Sequence, residues 1–375
     1  METSDRDFWL LFAIQTFFSF AVGFGWNMAY LFWMGSYSYF HMVFYFFLSY
    51  TVAIAMIPLS CGRKVKSRHY VAIGIVMRMV TFFLASKALG TPISLFVVAI
   101  PFGIMMDFYW IPFNARYLKM TNGNNRAFML TVVQSPWTVT GVIGPVLGGI
   151  AASQFGYPSV FYISMLSLFL ALMPLHKLSE TEHFFDFRAS LSAGMEFAPL
   201  FIIEGVWNSV TGIITLLFTA VFVREEIGFG AALSYLGLVS IVSSLVLGKL
   251  SDRFHNRGYF IAVLVILNSL FTIASAFSQT LVQWIATRSA ADLFAIGIMP
   301  FTFTMIREKI KLKGGVEGAT VVSREFFLNI GRALGAVLCM FFVFYFNNLR
   351  LPLFLTGILY LFYPLLLRRK GLLKS

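Results

Sequence analysis

Charged side chains are scarce in this 375-residue sequence. They make up 12% of the residues, whereas hydrophobic residues make up 59%, and the mean hydropathy is +0.81. So little polar surface excludes a soluble globular domain and predicts an integral membrane protein. Acidic residues are scarcer still, 16 against 28 lysines and arginines. The net charge of +12 does not indicate nucleic-acid binding, because the basic residues form short clusters between apolar runs, where they would face anionic lipid headgroups.

The sequence also has few residues of the kinds that build enzyme and metal sites. Its 2 cysteines, Cys61 and Cys339, are too far apart in sequence to suggest a metal site or a disulfide framework. The 5 histidines are scattered. Neither a Gly-x-Ser-x-Gly nucleophile motif nor a phosphate-binding glycine loop with a lysine occurs. We therefore expect no enzyme activity, no cofactor and no metal, and any transport must draw on an ion gradient or on the gradient of the solute itself.

Long apolar runs dominate what is present. Runs of about 20 residues, the length that spans a bilayer, predict an all-α integral membrane protein with twelve transmembrane helices. Their approximate bounds are 8–33, 38–60, 69–88, 92–114, 126–153, 157–175, 197–222, 229–250, 258–277, 281–305, 318–346 and 350–367.

Basic residues are distributed unequally between the two sets of loops. If the N-terminus is cytoplasmic, only Lys87, Arg224 and Arg350 fall in outer loops, and the other basic loop residues and the basic tail lie inside. Because cytoplasmic loops are enriched in lysine and arginine, we expect a multi-pass protein of the cell membrane with both termini in the cytoplasm. We expect the chain to act as a monomer in the lipid bilayer.

The longest polar stretch lies midway along the chain and predicts a division into two halves. We assign residues 1–178 to an N-terminal six-helix bundle, 179–198 to a cytoplasmic linker and 199–375 to a C-terminal six-helix bundle. Shifting the sequence by 189 residues superimposes Arg68 on Arg257 and Tyr70 on Tyr259, with further identities in two more helices. A shift close to half the chain length favours an internal duplication.

A charged segment at residues 248–257, Gly-Lys-Leu-Ser-Asp-Arg-Phe-His-Asn-Arg, joins two apolar runs. It resembles a cytoplasmic loop motif of the major facilitator superfamily, Gly-x-Leu-(Ala/Ser)-Asp-Arg-x-Gly-Arg-(Arg/Lys). The residues that we assign to gating on this basis are Gly248, Asp252, Arg253 and Arg257. The resemblance implies two pseudo-symmetric six-helix bundles that rock around a central cavity. In the first-half counterpart, residues 61–68, Arg63 occupies the place of Asp252.

A second element, Gly144-Pro145-Val-Leu-Gly148-Gly149 in the fifth helix, resembles the Gly-Pro-x-x-Gly-Gly element of exporters in this superfamily. It assigns Gly144, Pro145 and Gly148 to gating. Glycines four residues apart also allow helix backbones to approach closely, so packing alone is the alternative interpretation.

Polar residues inside the predicted spans are costly in lipid and are therefore candidates for function. Helical periodicity places three groups of them on single helix faces. These groups are Asp107, Trp110 and Asn114 in helix four, Glu204, Trp207 and Asn208 in helix seven, and Arg288 with Asp292 in helix ten, to which helix one adds Asn27. The resemblance implies that these four helices line the central cavity. Arg288 and Asp292 are equally consistent with an ion pair within the helix, and the tryptophans with simple packing.

Helices three and eleven also carry charged residues inside their predicted spans. Arg78 in helix three has no acidic residue one turn away, and is expected either to reach the interface or to pair with Asp107. In helix eleven, Glu325, Asn329 and Arg332 share one stripe and are predicted to form a functional surface. Arg324 points about a quarter-turn away and is expected to reach water.

Taken with the resemblance, these residues predict a secondary active transporter of small organic solutes that is coupled to protons. Burial away from water favours the protonated form of a carboxylic acid, so Asp107 first, and Glu204 or Asp292 second, are the predicted coupling groups. The glycine element favours export, and uptake of a sugar, nucleoside or organic anion is the alternative. A non-transporting receptor or a lipid transporter remains a further alternative, and a lipid transporter should have an apolar opening on its side.

Overall fold

The computed structural model of the chain describes residues 3–62, 64–88, 90–120, 126–251, 257–295, 297–312 and 317–373. Within them, side chains are described except at residues 3–5, 117–120, 126–131, 134, 245, 248–251, 257, 311–312 and 317–318. In this part of the chain, twelve helices are long and apolar enough to cross a membrane, which confirms the predicted number of spans.

The first part of the chain contains α1 (Thr3–Ala21), a π-helical turn (Val22–Trp26), α2 (Asn27–Met34), α3 (Tyr39–Ser60), β1 (Lys64–Lys66), α4 (Ser67–Ala85), α5 (Pro92–Met120), α6 (Arg126–Phe155) and α7 (Tyr157–Lys177). The remainder contains β2 (Glu182–Phe184), α8 (Phe187–Met195), α9 (Ala198–Phe222), α10 (Glu226–Ser251), α11 (Arg257–Ser275), α12 (Leu281–Ala295), α13 (Ile298–Leu312), α14 (Glu317–Phe346), α15 (Arg350–Leu361) and α16 (Tyr363–Arg369).

The chain divides into two compact units. Unit 1 comprises Met1–Phe187 and Arg224–Ser234, and unit 2 comprises Arg188–Val223 and Tyr235–Ser375. The first turns of α10 therefore group with unit 1, although most of that helix belongs to unit 2.

Within unit 1, α6 packs closely against the first span. A Cβ atom added at Gly144 would lie 2.6 Å from the backbone carbon of Gly23, and one added at Gly148 would collide with the backbone oxygen of Phe24. At Gly141, by contrast, an added Cβ atom would meet nothing within 4 Å. Two of the glycines in the predicted gating element are therefore required by backbone contact with the π-helical turn.

The beginning of the predicted linker is part of unit 1. Strand β2 pairs antiparallel with β1, with Val65 opposite His183. Next to this pair, the buried guanidinium of Arg116 lies 2.9 Å from the carboxylate of Asp7 and donates to the Ser179 hydroxyl at 2.8 Å. The side chains of Arg116 and Asp7 are only 2% and 7% exposed, so neither can be removed without leaving a buried charge.

Within unit 2, α9 and α14 approach closely at two glycines. A Cβ atom added at Gly205 would lie 2.8 Å from the Cα atom of Gly331, so these backbones are in contact. The last span is divided in two, because Pro364 near the start of α16 lacks the N–H that would continue α15. The division at Phe362 turns Tyr363 toward α9.

Candidate functional site

A network of buried polar side chains lies in unit 2, between α9, α14 and α16. Its members are Glu204, Asn208, Arg324, Glu325, Asn329, Arg332 and Tyr363. Five of them were predicted from the sequence as site residues, and the close approach of α9 and α14 at Gly205 brings these five together.

Glu204 is the most enclosed acid of the network, with no exposed surface. Its Oε1 accepts a hydrogen bond from the hydroxyl of Tyr363. Its Oε2 lies 4.0 Å from Nη2 of Arg324 and has no hydrogen-bond partner in the described part of the chain. Sequence reasoning missed Tyr363, although the proline that follows it marks the point where the last span bends.

Glu325 lies between two arginines. Nη1 of Arg324 donates to it at 2.9 Å, and Nη1 of Arg332 lies 3.8 Å away. Arg332 also donates to the side-chain oxygens of Asn329 at 2.9 Å and Asn208 at 3.0 Å. A buried arginine keeps its charge and needs acceptors, and Arg332 finds them on its own helix α14 and on the neighbouring α9.

The expectation that Arg324 reaches water was wrong. Its side chain is 16% exposed, the same fraction as that of Arg332, and its guanidinium carbon lies 4.9 Å from the centre of the Phe303 ring. The helical wheel places the Cβ atom of Arg324 away from the stripe, but the long side chain returns to Glu325. Arg324 therefore belongs to the network: it is hydrogen-bonded to Glu325 and lies 4.0 Å from Glu204.

The charges of the network balance when both acids are ionised, with two arginines against two glutamates. Arg324 is shared, because it is bonded to Glu325 and lies near Glu204. Adding a proton to Glu204 would remove the weaker of these attractions and leave one positive charge in excess. The arrangement can therefore convert the binding of one proton into a change in the partners of Arg324.

A second pair of charges in unit 2 lies within α12. Arg288 forms an ion pair with Asp292 one turn later, and both side chains are mostly enclosed, at 6% and 15% exposure. Of the two interpretations left open by the sequence, the structure shows the ion pair within the helix. Trp284 on the same helix donates its indole N–H to the hydroxyl of Thr219 at 2.9 Å, so its polar atom is satisfied, whereas Nε and Nη1 of Arg288 have no hydrogen-bond partner among the described residues.

The predicted tryptophans lie in aromatic clusters of their own units. Trp207 stacks on Tyr360 with ring centres 5.3 Å apart, and Trp110 stacks on Trp137 at 5.7 Å. Trp207 is 7% exposed, whereas Trp110 is partly exposed. In this structure both rings pack against protein.

The remaining predicted residues of unit 1 are placed separately. Asp107 is 2% exposed, and its negative charge contributes to raising the pKa of the Cys61 thiol. Asn114 is half-buried. The half-buried Asn27 donates its side-chain N–H to the backbone oxygen of Gly23 at 3.3 Å, inside the π-helical turn. Such turns often occur at functional sites.

Arg78 follows neither alternative that the sequence suggested. It is 1% exposed, so it does not reach an interface, and it forms no ion pair with Asp107 among the described residues. Its guanidinium carbon instead lies 4.1 Å from the ring centre of Trp26, 4.8 Å from that of Phe82 and 4.9 Å from that of Phe102. Each ring attracts the cation by about 0.5–2 kcal/mol, which offsets only part of the several kcal/mol that burying an ion costs.

The charged segment at residues 248–257 lies largely outside the described residues. Gly248 falls in α10 and Arg257 begins α11, but their side chains, and all of Asp252 and Arg253, are outside the described part. Pro145, from the other predicted gating element, lies inside α6, where a Cβ atom added at Gly230 would meet its backbone carbonyl group.

Unit 1 also carries an apolar cavity of about 460 Å³ between α1, α6 and α7. Residues that line it include Phe12, Phe17, Phe20, Val139, Ile143 and Leu166. Three of these, Val139, Ile143 and Leu166, are exposed, so the cavity is a groove at the surface of the unit.

No family model matches the sequence. The chain is 23% identical over 306 residues to an uncharacterized protein, YqgE, of Bacillus subtilis, covering 75% of this chain and 69% of the relative. It is 29% identical over 158 residues to the multidrug resistance protein MdtG of Enterobacter lignolyticus, covering 37% of each. It is 25% identical over 217 residues to an uncharacterized MFS-type transporter, YuxJ, of Bacillus subtilis, covering 52% of this chain and 54% of that one.

Solved structures match over nearly the whole chain. A peptide transporter in complex with alafosfalin superimposes with a TM-score of 0.73 at 13% identity, covering 98% of this chain and 96% of that one. The nucleoside transporter NupG superimposes with a TM-score of 0.68 at 11% identity, covering 99% of each. The chain therefore has the fold of the major facilitator transporters. The predicted resemblance to this superfamily and the twelve-helix fold are thereby confirmed, and the relatives and neighbours whose names state a function are transporters or multidrug resistance proteins, not enzymes.

Proposed function

We propose that this transporter of the major facilitator type moves small organic solutes by alternating access, coupled to protons, with export as the favoured direction. One observation carries the coupling part of the proposal. Glu204 and Glu325 share Arg324 in a buried network whose charges balance only when both acids are ionised.

We assign the coupling proton to Glu204 and no longer to Asp107. Glu204 is fully enclosed, and its Oε2 has Arg324 at 4.0 Å and no hydrogen bond from the described residues, so this oxygen can accept a proton without breaking a hydrogen bond. Deprotonation strengthens the attraction to Arg324 and weakens the hold of Arg324 on Glu325. Buried ion pairs are sensitive to such exchanges because removing one partner costs about 3–5 kcal/mol.

The direction of transport is supported by the sequence relatives. The similarity to MdtG, which is called a multidrug resistance protein, favours export of organic compounds. The glycine element of α6, which packs against the first span, agrees with the exporter pattern that it resembles. We assign the basic loops and both termini to the cytoplasm, and we propose that the monomer is the working unit.

The test uses purified protein in proteoliposomes with an imposed pH gradient. The probes are labelled benzoate, tetraphenylphosphonium, a dipeptide and uridine, which represent an organic anion, an organic cation and the two alternative solute classes. At least one probe should move when the gradient is imposed, and the sign of the gradient that drives it distinguishes export from uptake. A panel in which no probe responds to the gradient would refute proton-coupled transport of these classes.

Two carboxyl variants then locate the proton. Glu204→Gln should abolish gradient-driven accumulation and preserve exchange of labelled for unlabelled solute, because the amide keeps the size of the acid but cannot release a proton. Asp107→Asn should retain the gradient response, as should the exposed control Glu182→Gln. If Asp107→Asn loses coupling and Glu204→Gln keeps it, the assignment to Glu204 is wrong.

The apolar groove of unit 1 favours a second candidate function, the movement of lipids or lipid-like molecules. The groove lies between α1, α6 and α7, and its exposed apolar lining suits an acyl chain. Uptake or flipping of a fluorescent phospholipid in the same proteoliposomes tests this candidate. Polar replacement at Ile143, on the exposed side of the groove, should then impair the lipid and spare the soluble probes.

A further inference from the structure

Arg78 lies in an aromatic cage inside unit 1. Trp26 from the π-helical turn, Phe82 from α4 and Phe102 from α5 all have ring centres within 5 Å of its guanidinium carbon. Only 1% of the residue is exposed. The hydrogen-bond donors of a guanidinium group point outward in its own plane, so rings stacked against the group do not satisfy them.

The donors around this cage lack acceptors. Nε and Nη1 of Arg78 and the indole N–H of Trp33 are enclosed and have no hydrogen-bond partner in the described part of the chain. The enclosed hydroxyls of Tyr30 and Tyr45 lie near the side chains of Trp26 and Ser49, which can donate to them, but no described residue accepts their own protons. These side chains adjoin one another, since the ring of Trp33 lies 5.8 Å from that of Tyr30 and 5.4 Å from that of Tyr45. Buried polar groups are normally paired, so such a concentration of donors is suited to a ligand that brings acceptors.

The charge of Arg78 also lacks a neighbouring acid. Asp7, another buried acid of unit 1, is held by Arg116 at 2.9 Å. No carboxylate among the described residues lies within 4.0 Å of the Arg78 guanidinium. A permanently charged group in this setting favours an anion.

We propose that the Arg78 cage binds the carboxylate of a small organic acid. A planar guanidinium can present two parallel N–H groups to the two oxygens of a carboxylate, and the hydroxyls of Tyr30 and Tyr45 supply further donors. One cation and an apolar wall of rings suit a monovalent acid with a flat apolar body. The inference rests on the proposed transport of organic solutes and names the class of solute, an organic anion.

Thermal unfolding of the purified protein, followed by tryptophan fluorescence, tests this inference without any pH gradient. Sodium benzoate is the probe, benzamide is its uncharged counterpart of the same shape, and sodium chloride at equal ionic strength is the inorganic anion. A ligand that binds the folded state raises the midpoint of unfolding in a saturable, concentration-dependent way. Benzoate should raise the midpoint, and benzamide and chloride should not.

Variants locate the binding site. Arg78→Lys and Arg78→Gln should lose the benzoate response, and Tyr45→Phe, which removes one donor and little volume, should weaken the apparent affinity by about tenfold. Arg188→Gln changes an exposed arginine and should bind benzoate like the wild type. If the Arg78 variants fail to fold, the comparison of Tyr45→Phe with the wild type still decides.

Several results would overturn the proposal. The proposal fails if benzoate does not raise the unfolding midpoint of the wild type, or if benzamide or chloride raises it as much as benzoate does. It also fails if Tyr45→Phe binds benzoate as tightly as the wild type. Because binding is measured at equilibrium, each of these would leave the coupling role of Glu204 to be judged by the transport assay alone.

Discussion

Replacing Arg324 with alanine is expected to destabilise the protein more than replacing Arg332. Arg324 donates to Glu325 at 2.9 Å and is the cation nearest to Glu204, which is fully buried. Its removal leaves Glu204 without a close positive charge, and an uncompensated buried charge costs about 3–5 kcal/mol. The helical wheel predicts the opposite order, because it treats Arg324 as a residue that reaches water.

Arg332→Ala should cost less because the acids keep their main partner. Arg332 lies 3.8 Å from Glu325 and donates to the amide oxygens of Asn329 and Asn208. Glu325 retains Arg324 in this variant. The loss is then of the order of hydrogen bonds to a charged group, about 1.5–3 kcal/mol.

The assay is thermal unfolding of each variant in the same detergent, with Arg188→Ala as a control on an exposed arginine. The double variant Arg324→Ala, Glu204→Gln should recover much of the stability lost in Arg324→Ala, since the second change removes the uncompensated charge. Non-additivity of this kind is what a double-mutant cycle detects for residues in contact. A lower midpoint for Arg332→Ala than for Arg324→Ala, or strictly additive losses in the double variant, would refute the shared-arginine arrangement.

Two further predictions concern unit 1. Gly148→Ala should lower the midpoint of unfolding because its Cβ atom would collide with the backbone oxygen of Phe24, whereas Gly141→Ala, with open space around the new Cβ atom, should be neutral or stabilising by up to about 1 kcal/mol. Equal effects of the two changes would show that α6 does not contact the π-helical turn at Gly148. Burial raises the pKa of Cys61 to about 11, and the negative charges of Asp107 and Asp186 act in the same direction. In a Cys339→Ala background the rate of alkylation by iodoacetamide should therefore keep rising with pH well above about 8.5, the ordinary thiol value; a plateau near that value would contradict it.

The sequence was sufficient to predict the architecture, because twelve apolar runs of spanning length have few other interpretations. One of the predicted faces could also be read directly. Glu325, Asn329 and Arg332 meet as their spacing predicts, since residues at i, i+4 and i+7 share one side of a helix.

Contacts made by long or distant side chains could not be read in the same way. Arg324 points off the stripe at its Cβ atom and returns through its own length, which a helical wheel does not represent. Tyr363 lies 159 positions after Glu204 in the sequence and donates to it from the start of α16, where Pro364 bends the last span. Arg78 is surrounded by rings from two other elements as well as its own, and no spacing rule connects those positions.

The polar stretch after α7 shows how the same signal can have two structural causes. Its composition predicts a solvated linker, and the first-half loop beside it lacks the acid that the second-half motif carries at Asp252. In unit 1 the stretch instead pairs with that loop, β2 with β1, and Ser179 binds both Asp7 and Arg116. Asp7, from the N-terminal helix, thus brings a buried carboxylate to the end of the loop. The Arg116 and Asp7 side chains are almost fully enclosed. The polar residues of this stretch therefore supply hydrogen bonds to a buried ion pair and to the edge of β1, in addition to those that face solvent.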